Sequence, residues 1–197
     1  MVDTTLTARY PLAGLDILIA DTRLSSVENL DIVSVSLPHY LEHEKTEAAR
    51  ISLNEKLQTT FGLELTETGV RSSDDDNSHA LVGLQPGLWF MMTTQRTSEP
   101  ARTLKTCLGD TAFLTDQSDS WAILDIDGPH AKAALERICP IDIDDSVFDD
   151  KCVIRTSMEH LSVILERPEP TRFRLYSPAS STQSFLHTVK VSLQNVV

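Results

Sequence analysis

The amino-acid sequence predicts an α+β fold built from two similar β-α-β-β-α halves, whose antiparallel or mixed sheets share one core. Two observations carry this prediction. The order strand, helix, strands, helix occurs twice along the chain, and the apolar spacing changes between strand-like and helix-like at matching places. One such unit cannot cover both faces of its own sheet, so the two halves are expected to pack together.

The sequence is expected to form a single domain over residues 31–197, divided into halves at residues 31–110 and 111–197. The chain has 197 residues, of which 41% are hydrophobic, and this is enough apolar material for a sizeable core. Residues 1–30 alternate short apolar and polar pieces. We interpret them as an N-terminal arm with one short strand near residues 15–20.

The first half is expected to begin with a strand. Residues 31–37 alternate between polar and apolar side chains, and Pro38 ends the strand because proline cannot donate to a ladder. A helix follows over residues 41–61, where apolar residues recur every four positions and Gly62 suits a left-handed cap. The remaining predicted elements are an exposed polar loop over residues 68–79, a hairpin of residues 80–84 and 88–92, and a helix over residues 98–108.

The second half repeats this order after a short strand at residues 111–115. Residues 121–127 favour a strand, and Gly128-Pro129 opens a helix that Pro140 ends. The remaining predicted elements are three strands over residues 153–156, 161–166 and 172–176, and a last helix, capped by Ser177 and Pro178, whose Phe185, Leu186, Val189 and Leu193 face inward.

Composition disfavours several classes of partner. The net charge of -12 argues against nucleic acid, because proteins that bind phosphate backbones concentrate Lys and Arg. No apolar run approaches the roughly 18 residues that span a bilayer, so we expect no membrane contact and a cytoplasmic location. Cys107, Cys139 and Cys152 lie far apart and predict free thiols in a reduced compartment.

Motifs that would identify an enzyme are weak in this sequence. The seven glycines form neither a dinucleotide-binding nor a P-loop pattern, and a Gly-x-Ser-x-Gly elbow is absent. His39, His43 and Glu47 stand four apart and could bind a metal, but a solvated polar helix face is the favoured interpretation. Ser157 and His160 could pair as nucleophile and base, but turn hydrogen bonds explain them more simply.

An acidic segment at residues 142–150 superficially resembles a calcium-binding loop. Val147 occupies the position that needs glycine, and Val153 occupies the position that needs a bidentate glutamate, so we expect an ordinary acidic loop. Together these observations predict that the chain has no catalytic, cofactor-binding or metal-binding residue of its own. They favour a scaffold or partner-binding subunit over an independent enzyme.

Several segments, most of them in the second half, resemble one protein family, the gamma subunits of heterotetrameric sarcosine oxidases. The matching segments are residues 115–121 (TDQSDSW), Gly128-Pro129 with residues 133–140 (AALERICP), and residues 155–164 (RTSMEHLSVI). Phe185 falls where the family has an aromatic residue, and residues 83–89 (GLQPGLW) resemble one of its turns more loosely. About half of the chain carries the resemblance, which lies mainly between residues 115 and 188.

This resemblance implies a fold related to the folate-binding domain of aminomethyltransferases. It also implies a complex with alpha, beta and delta subunits, in which other chains hold FAD, FMN, NAD and tetrahydrofolate and this chain holds no cofactor. The complex would oxidise the N-methyl group of sarcosine, release glycine, pass the one-carbon unit to tetrahydrofolate and reduce oxygen to hydrogen peroxide.

For a subunit of this kind, polar residues within the matching segments are the candidate partner contacts. They are Asp116, Gln117, Ser118, Arg155, Ser157 and His160. Two other functions stay open: the equivalent subunit of N-methylglutamate dehydrogenase, and a stand-alone folate-binding protein of the aminomethyltransferase kind. A folate site would need a buried carboxylate for the pterin ring, and spacing does not distinguish among Asp125, Asp127 and Glu166.

Overall fold

The computed structural model describes residues 9–38 and 42–197. Its strands are β1 (Asp16–Ile19), β2 (Thr22–Val27), β3 (Asp31–Ser36), β4 (Arg71–Ser73), β5 (His79–Gln85), β6 (Leu88–Thr93), β7 (Phe113–Asp116), β8 (Trp121–Asp127), β9 (Val153–Met158), β10 (Leu161–Glu169) and β11 (Arg172–Pro178). Its helices are α1 (His43–Phe61), α2 (Pro100–Leu108), α3 (Ala131–Glu136) and α4 (Thr182–Gln194).

The strands form two antiparallel sheets. The first sheet has the order β4-β5-β6-β3-β7, and the second has the order β1-β2-β8-β11-β10-β9. The order β4-β5-β6-β3 corresponds to β9-β10-β11-β8, and α1 and α2 occupy the same places in the chain order as α3 and α4. The predicted α+β fold of two similar halves is therefore confirmed.

Three buried apolar clusters join the sheets and helices into four layers. Helices α1 and α2 cover the outer face of the first sheet, where Leu57 and Leu108 pack with Trp89. Helices α3 and α4 cover the outer face of the second sheet, where Phe185 packs in the same cluster as Leu124. The inner faces of the two sheets meet in a third cluster, which contains Ile32, Val82, Phe90, Met92, Ile123, Ile164 and Tyr176.

The structure gives two elements a place that the sequence did not predict. Residues 16–27, interpreted as an arm with one short strand, form the β1-β2 hairpin, and β2 pairs with β8 so that Leu24 lies opposite Ile126 in the core. Strand β7, expected at the start of the second half, pairs with β3 in the first sheet. The last strand of the first sheet along the chain therefore ends at Asp116, beyond the expected division at residue 110. Strand β7 adds to the sheet of the first half, and β2 adds to the sheet of the second half.

Helix α1 shows how local sequence sets the ends of an element. Leu53 and Leu57 are buried on its inner side, as the four-residue spacing predicts. Gly62 has a φ of 67°, and its backbone N–H donates to the carbonyl of Gln58, which ends the helix in a left-handed cap. The predicted start at residue 41 lies outside the described residues.

The predicted exposed loop over residues 68–79 is wrong at its centre. Strand β4 pairs with β5, and Val70 forms an isolated bridge with Cys152, the residue before β9. The N–H of Arg71 donates to the Lys151 carbonyl at 2.9 Å, and the N–H of Val153 donates to the Gly69 carbonyl at 2.9 Å. Backbone hydrogen bonds thus join the β4 edge to the β9 edge, an interaction that does not depend on apolar side chains in the loop.

Asp74 anchors the turn that leads from β4 into β5, and this contact predicts a dependence of stability on pH. Its carboxylate accepts hydrogen bonds from the His79 N–H at 3.0 Å, from His79 Nδ1 at 2.8 Å and from Ser78 Oγ at 2.8 Å. Partial burial alone would raise the pKa of Asp74, but these hydrogen bonds outweigh it and lower that pKa below its usual value. The stabilisation is therefore present above the unfolded-state pKa of Asp74, and it is lost as pH falls through the lower folded-state pKa.

We expect Asp74→Asn to lower the free energy of unfolding by roughly 1 to 3 kcal/mol at pH 7. The loss should become progressively smaller as the pH falls below the unfolded-state pKa of Asp74. Urea unfolding at a series of pH values measures this difference. Asp75→Asn is the matched control, because the neighbouring Asp75 side chain is exposed. A loss of stability for Asp74→Asn that is the same at every pH would contradict the assignment.

Candidate functional site

Three of the six predicted contact residues, Asp116, Gln117 and Ser118, lie at the end of β7 and in the link that follows it. Ser118 Oγ donates to Asp116 Oδ1 at 2.7 Å, and the Ile32 N–H donates to Ser118 Oγ at 3.1 Å. The N–H of Gln117 donates to the Ile32 carbonyl at 2.8 Å. Ser118 is buried while Asp116 is exposed, so within this group only Asp116 and Gln117 offer side chains to a partner.

The other three predicted contacts lie on β9 and on the turn that follows it. Arg155, Ser157 and His160 are exposed, and Arg155 Nε donates to Ser162 Oγ at 3.0 Å. His160 lies in a turn with a φ of 66°, and within the described residues no hydrogen bond joins it to Ser157. Because β9 adjoins the β4 edge while β7 is the opposite edge of the first sheet, the structure does not bring the two groups of predicted contacts together.

A group of charged side chains lies between the sheets, where the apolar inner cluster ends. On β8 and β10, Asp125 and Glu166 flank Arg174 of β11, because Arg174 is the cross-strand partner of both. Arg174 Nε lies 2.7 Å from Asp125 Oδ1, and its Nη2 lies 2.9 Å from Oδ2. Arg174 Nη1 also lies 3.6 Å from Glu166 Oε1.

Burial and charge together determine the protonation of this group. Burial opposes the charged form of Arg174, but the hydrogen bond to Asp125 and the nearby negative charges raise its pKa above the usual value. Burial raises the pKa of Tyr176 well above its usual value, and the charge of Glu166 raises it further. Tyr176 therefore stays protonated, and its hydroxyl donates to Glu166 Oε1 at 2.8 Å.

Glu166 is the carboxylate that the structure distinguishes among the three considered from the sequence. Asp125 is held by Arg174, and Asp127 lies nearer the surface, where it accepts a hydrogen bond from Thr171 Oγ1 at 3.0 Å. Glu166 is only 1% exposed, and its Oε2 has no hydrogen-bond partner, although it forms an ion pair with Arg71 Nε at 3.7 Å.

Glu166 lines a cleft of about 270 Å³ between the two sheets. Three arginines, Arg71, Arg172 and Arg174, line the same cleft, and Arg172 forms an ion pair with Glu169. Neither Arg71 Nε nor Arg172 Nε has a hydrogen-bond partner. Chemically, the cleft can accept a hydrogen bond at Glu166 and donate hydrogen bonds from its arginines.

Other sequence candidates have structural partners. Asp144, in the acidic segment, accepts a hydrogen bond from Lys132 Nζ at 2.7 Å and from the Ser146 N–H at 3.1 Å. His43 and Glu47 lie on α1, and His39 lies outside the described residues. Within residues 9–38 and 42–197, no three His, Cys, Asp or Glu side chains are grouped as metal ligands.

Cys107, Cys139 and Cys152 are free thiols. Each helix in the described part of the chain is too short or too polar to cross a bilayer. The cytoplasmic location stays a prediction.

Comparison with known proteins relates the sequence to one curated protein. No protein-family profile matches the chain. The sarcosine oxidase subunit gamma of Corynebacterium sp. (strain U-96) is 27% identical to this chain over 99 residues. The aligned segment covers 50% of this chain and 48% of that protein, so the match spans about half of each.

Solved structures show the same fold over a longer stretch. A chain of the heterotetrameric sarcosine oxidase from Corynebacterium sp. U-96, in complex with pyrrole 2-carboxylate, matches with a TM-score of 0.78 at 20% identity, and the match covers 96% of both chains. The glycine cleavage system aminomethyltransferase T from Bartonella henselae matches with a TM-score of 0.59 at 13% identity, over 86% of this chain and 45% of that one.

The predicted resemblance is therefore confirmed: this chain is similar in sequence to a sarcosine oxidase gamma subunit, and it shares its fold with a chain of heterotetrameric sarcosine oxidase and with aminomethyltransferase T.

Proposed function

We propose that this chain is a non-catalytic, gamma-type subunit of a heterotetrameric sarcosine oxidase. The observation that carries the proposal is the fold match over 96% of both chains, together with the sequence match to a gamma subunit. In this proposal the alpha, beta and delta subunits are the partners, and they hold FAD, FMN, NAD and tetrahydrofolate. The complex oxidises sarcosine to glycine and passes the one-carbon unit to tetrahydrofolate.

The buried polar groups of the chain support a structural role. Arg174 pairs with both Asp125 and Glu166, and the hydroxyl of Tyr176, which donates to Glu166, also lies 3.1 Å from the sulfur of Met92 in the first sheet. The contact of Tyr176 with Met92, and the ion pair of Glu166 with Arg71 of β4, join the two sheets, which supports a subunit that presents a rigid surface to its neighbours.

Co-expression tests the proposal. The chain, carrying an affinity tag, is produced together with the alpha, beta and delta subunits, and we expect it to retain all three and to yield a yellow complex. Produced alone, the same chain should be colourless. A colourless chain that leaves the column without these partners would contradict the proposal.

The substrate is tested on the purified complex rather than on this chain. We expect oxidation of sarcosine, with methylenetetrahydrofolate formed when tetrahydrofolate is present. Preferential oxidation of N-methylglutamate would instead assign the chain to N-methylglutamate dehydrogenase, in which other chains would likewise determine the substrate.

The predicted contacts on β9 have their own test. We expect the double variant Arg155→Ala/His160→Ala to weaken retention of the partner subunits while unfolding at the same temperature as the unchanged chain, because both side chains are exposed. A complex retained as tightly by the double variant would exclude these two residues as contacts.

A second candidate function is a stand-alone folate-binding protein, and it is favoured by the buried Glu166, whose Oε2 has no hydrogen-bond partner. A buried carboxylate can accept hydrogen bonds from the amino edge of a pterin ring. Calorimetric titration of the isolated chain with tetrahydrofolate separates the two functions. Binding heat that disappears in Glu166→Gln would support this candidate, whereas an interaction subunit should give no binding heat.

A further inference from the structure

Within residues 9–38 and 42–197, strand β7 is a free edge of the first sheet, and it carries an exposed aromatic side chain. Phe113 is 66% exposed. In the register of the sheet, Phe113 lies opposite Ser36, and Ser36 lies opposite Leu88 on its other side. Thr115 likewise lies opposite Ser34. Cross-strand partners share a face, so Phe113, Thr115, Ser34, Ser36 and Leu88 form one surface, here called the Phe113 edge.

The Phe113 edge continues the inner face of the first sheet beyond the part that the second sheet covers. Phe90, which is the cross-strand partner of Ser34, is buried in the cluster between the sheets. Thr115 and Phe113 on the outermost strand are exposed, and Leu88 is half-buried. The inner face therefore extends beyond the sheet-to-sheet contact, and Phe113 is an exposed apolar side chain on its outermost strand.

The free edge of the second sheet differs from the Phe113 edge in charge. On β1, Leu18 is 70% exposed, but its cross-strand partner is Arg23. Arg23 forms two hydrogen bonds to Asp16 of the same strand as Leu18, at 2.7 and 2.6 Å. Charged side chains of this kind protect a free edge from pairing with another chain. Strand β7 has the sequence Phe-Leu-Thr-Asp and carries no Lys, Arg or Pro.

Acidic side chains lie at the carboxyl end of β7. Asp116 ends the strand, and Asp119 follows in the turn. Asp119 is exposed and forms no ion pair within the described residues. The negative charges of Asp116 and Asp119 also act on the buried carboxyl of Asp31 and help to raise its pKa, after the larger effect of burial. Arg9 and Arg96 line the same pocket as Asp119, and Arg96 is paired with Asp31. The three carboxylates of Asp31, Asp116 and Asp119 outnumber these two arginines, so the remaining charge favours Lys or Arg on a partner.

We propose that the Phe113 edge docks an extended segment of a partner subunit, which pairs with β7, packs an apolar side chain on Phe113, and places a basic side chain beside Asp116 and Asp119. The inference rests on the proposed function as an interaction subunit. Addition of a strand to a free edge uses backbone hydrogen bonds for affinity and alternate side chains for specificity. Aromatic side chains, Phe among them, are enriched in the cores of protein interfaces.

The matched pair of exposed edges provides the test. Phe113→Ala and Leu18→Ala each shorten a similarly exposed apolar side chain on the edge strand of a sheet, and Asp119→Lys reverses one charge at the proposed contact. We expect Phe113→Ala to weaken binding of the partner subunits by at least roughly 30-fold, and Asp119→Lys by roughly tenfold with a reduced dependence on salt. Leu18→Ala should bind as the unchanged chain does.

Each variant is checked by thermal unfolding and then titrated against the isolated partner subunits. If Phe113→Ala binds the partner subunits with the same affinity as the unchanged chain, the docking edge is overturned. The proposed function still stands in that case, because the unchanged chain assembles with its partners. A larger loss of affinity for the partner subunits with Leu18→Ala than with Phe113→Ala would place the docking surface on β1 and overturn the assignment to β7. An unchanged chain that binds none of the partner subunits would overturn both the docking edge and the proposed function.

Discussion

Replacement of Phe185 by alanine is expected to lower the free energy of unfolding by about 3 to 5 kcal/mol. Phe185 lies on the inner side of α4 and is only 1% exposed, within the cluster that joins α3 and α4 to the second sheet. Removing the ring loses its transfer free energy and leaves a cavity that the rigid sheet beneath it cannot fill.

Urea unfolding measures this loss, and Phe113→Ala is its control. The same substitution at Phe113 should change the free energy of unfolding by less than about 0.5 kcal/mol, because that side chain is exposed. Similar losses at the two positions would mean that α4 does not pack on the second sheet as described.

Replacement of Asp125 by alanine is expected to lower the free energy of unfolding by about 3 to 5 kcal/mol, because it leaves the guanidinium of Arg174 without its bidentate partner in a poorly solvated place. The two side chains are 9% and 18% exposed. Glu166 Oε1 lies 3.6 Å from Arg174 Nη1 and offsets only part of the lost interaction. Glu166 also accepts a hydrogen bond from Tyr176 and lies near Arg71.

The matched control for Asp125→Ala is Asp16→Ala. Asp16 makes a bidentate contact to Arg23 with nearly the same distances, but both side chains are more than half exposed. Water and salt screen such a pair, so Asp16→Ala should leave the unfolding midpoint within experimental error. A large loss of stability with Asp16→Ala, or no loss with Asp125→Ala, would show that burial does not determine how much these ion pairs contribute to stability.

Much of the fold could be predicted from local patterns. The hairpin of β5 and β6 follows from two apolar runs around Pro86 and Gly87, and α1 follows from its four-residue spacing and from Gly62. Such features depend on neighbours within a few positions along the chain, and local spacing reports them directly. Strand β4 has no such pattern, because what places it is pairing with β5 and the bridge from Val70 to Cys152.

The candidate sites were less predictable. Sequence motifs selected Ser118 as a contact, but its hydroxyl is used within the fold by Asp116 and Ile32. Conversely, nothing in the spacing of Glu166 indicated that it lies beside Arg174 and Tyr176. That arrangement depends on the register between β10 and β11, and on the first sheet, which covers it.

The sequence by itself determined the class of fold, most of the helices and strands, and the resemblance to a sarcosine oxidase gamma subunit. Tertiary structure decided how the halves exchange strands, which carboxylate is buried with a free oxygen, and which edge stays open. Gly83 illustrates the reason: a Cβ at this position would clash with the carbonyl oxygen of Glu67, which lies 16 residues earlier in the chain. Local patterns record how a segment folds, whereas contacts between distant segments exist only once the sheets have packed.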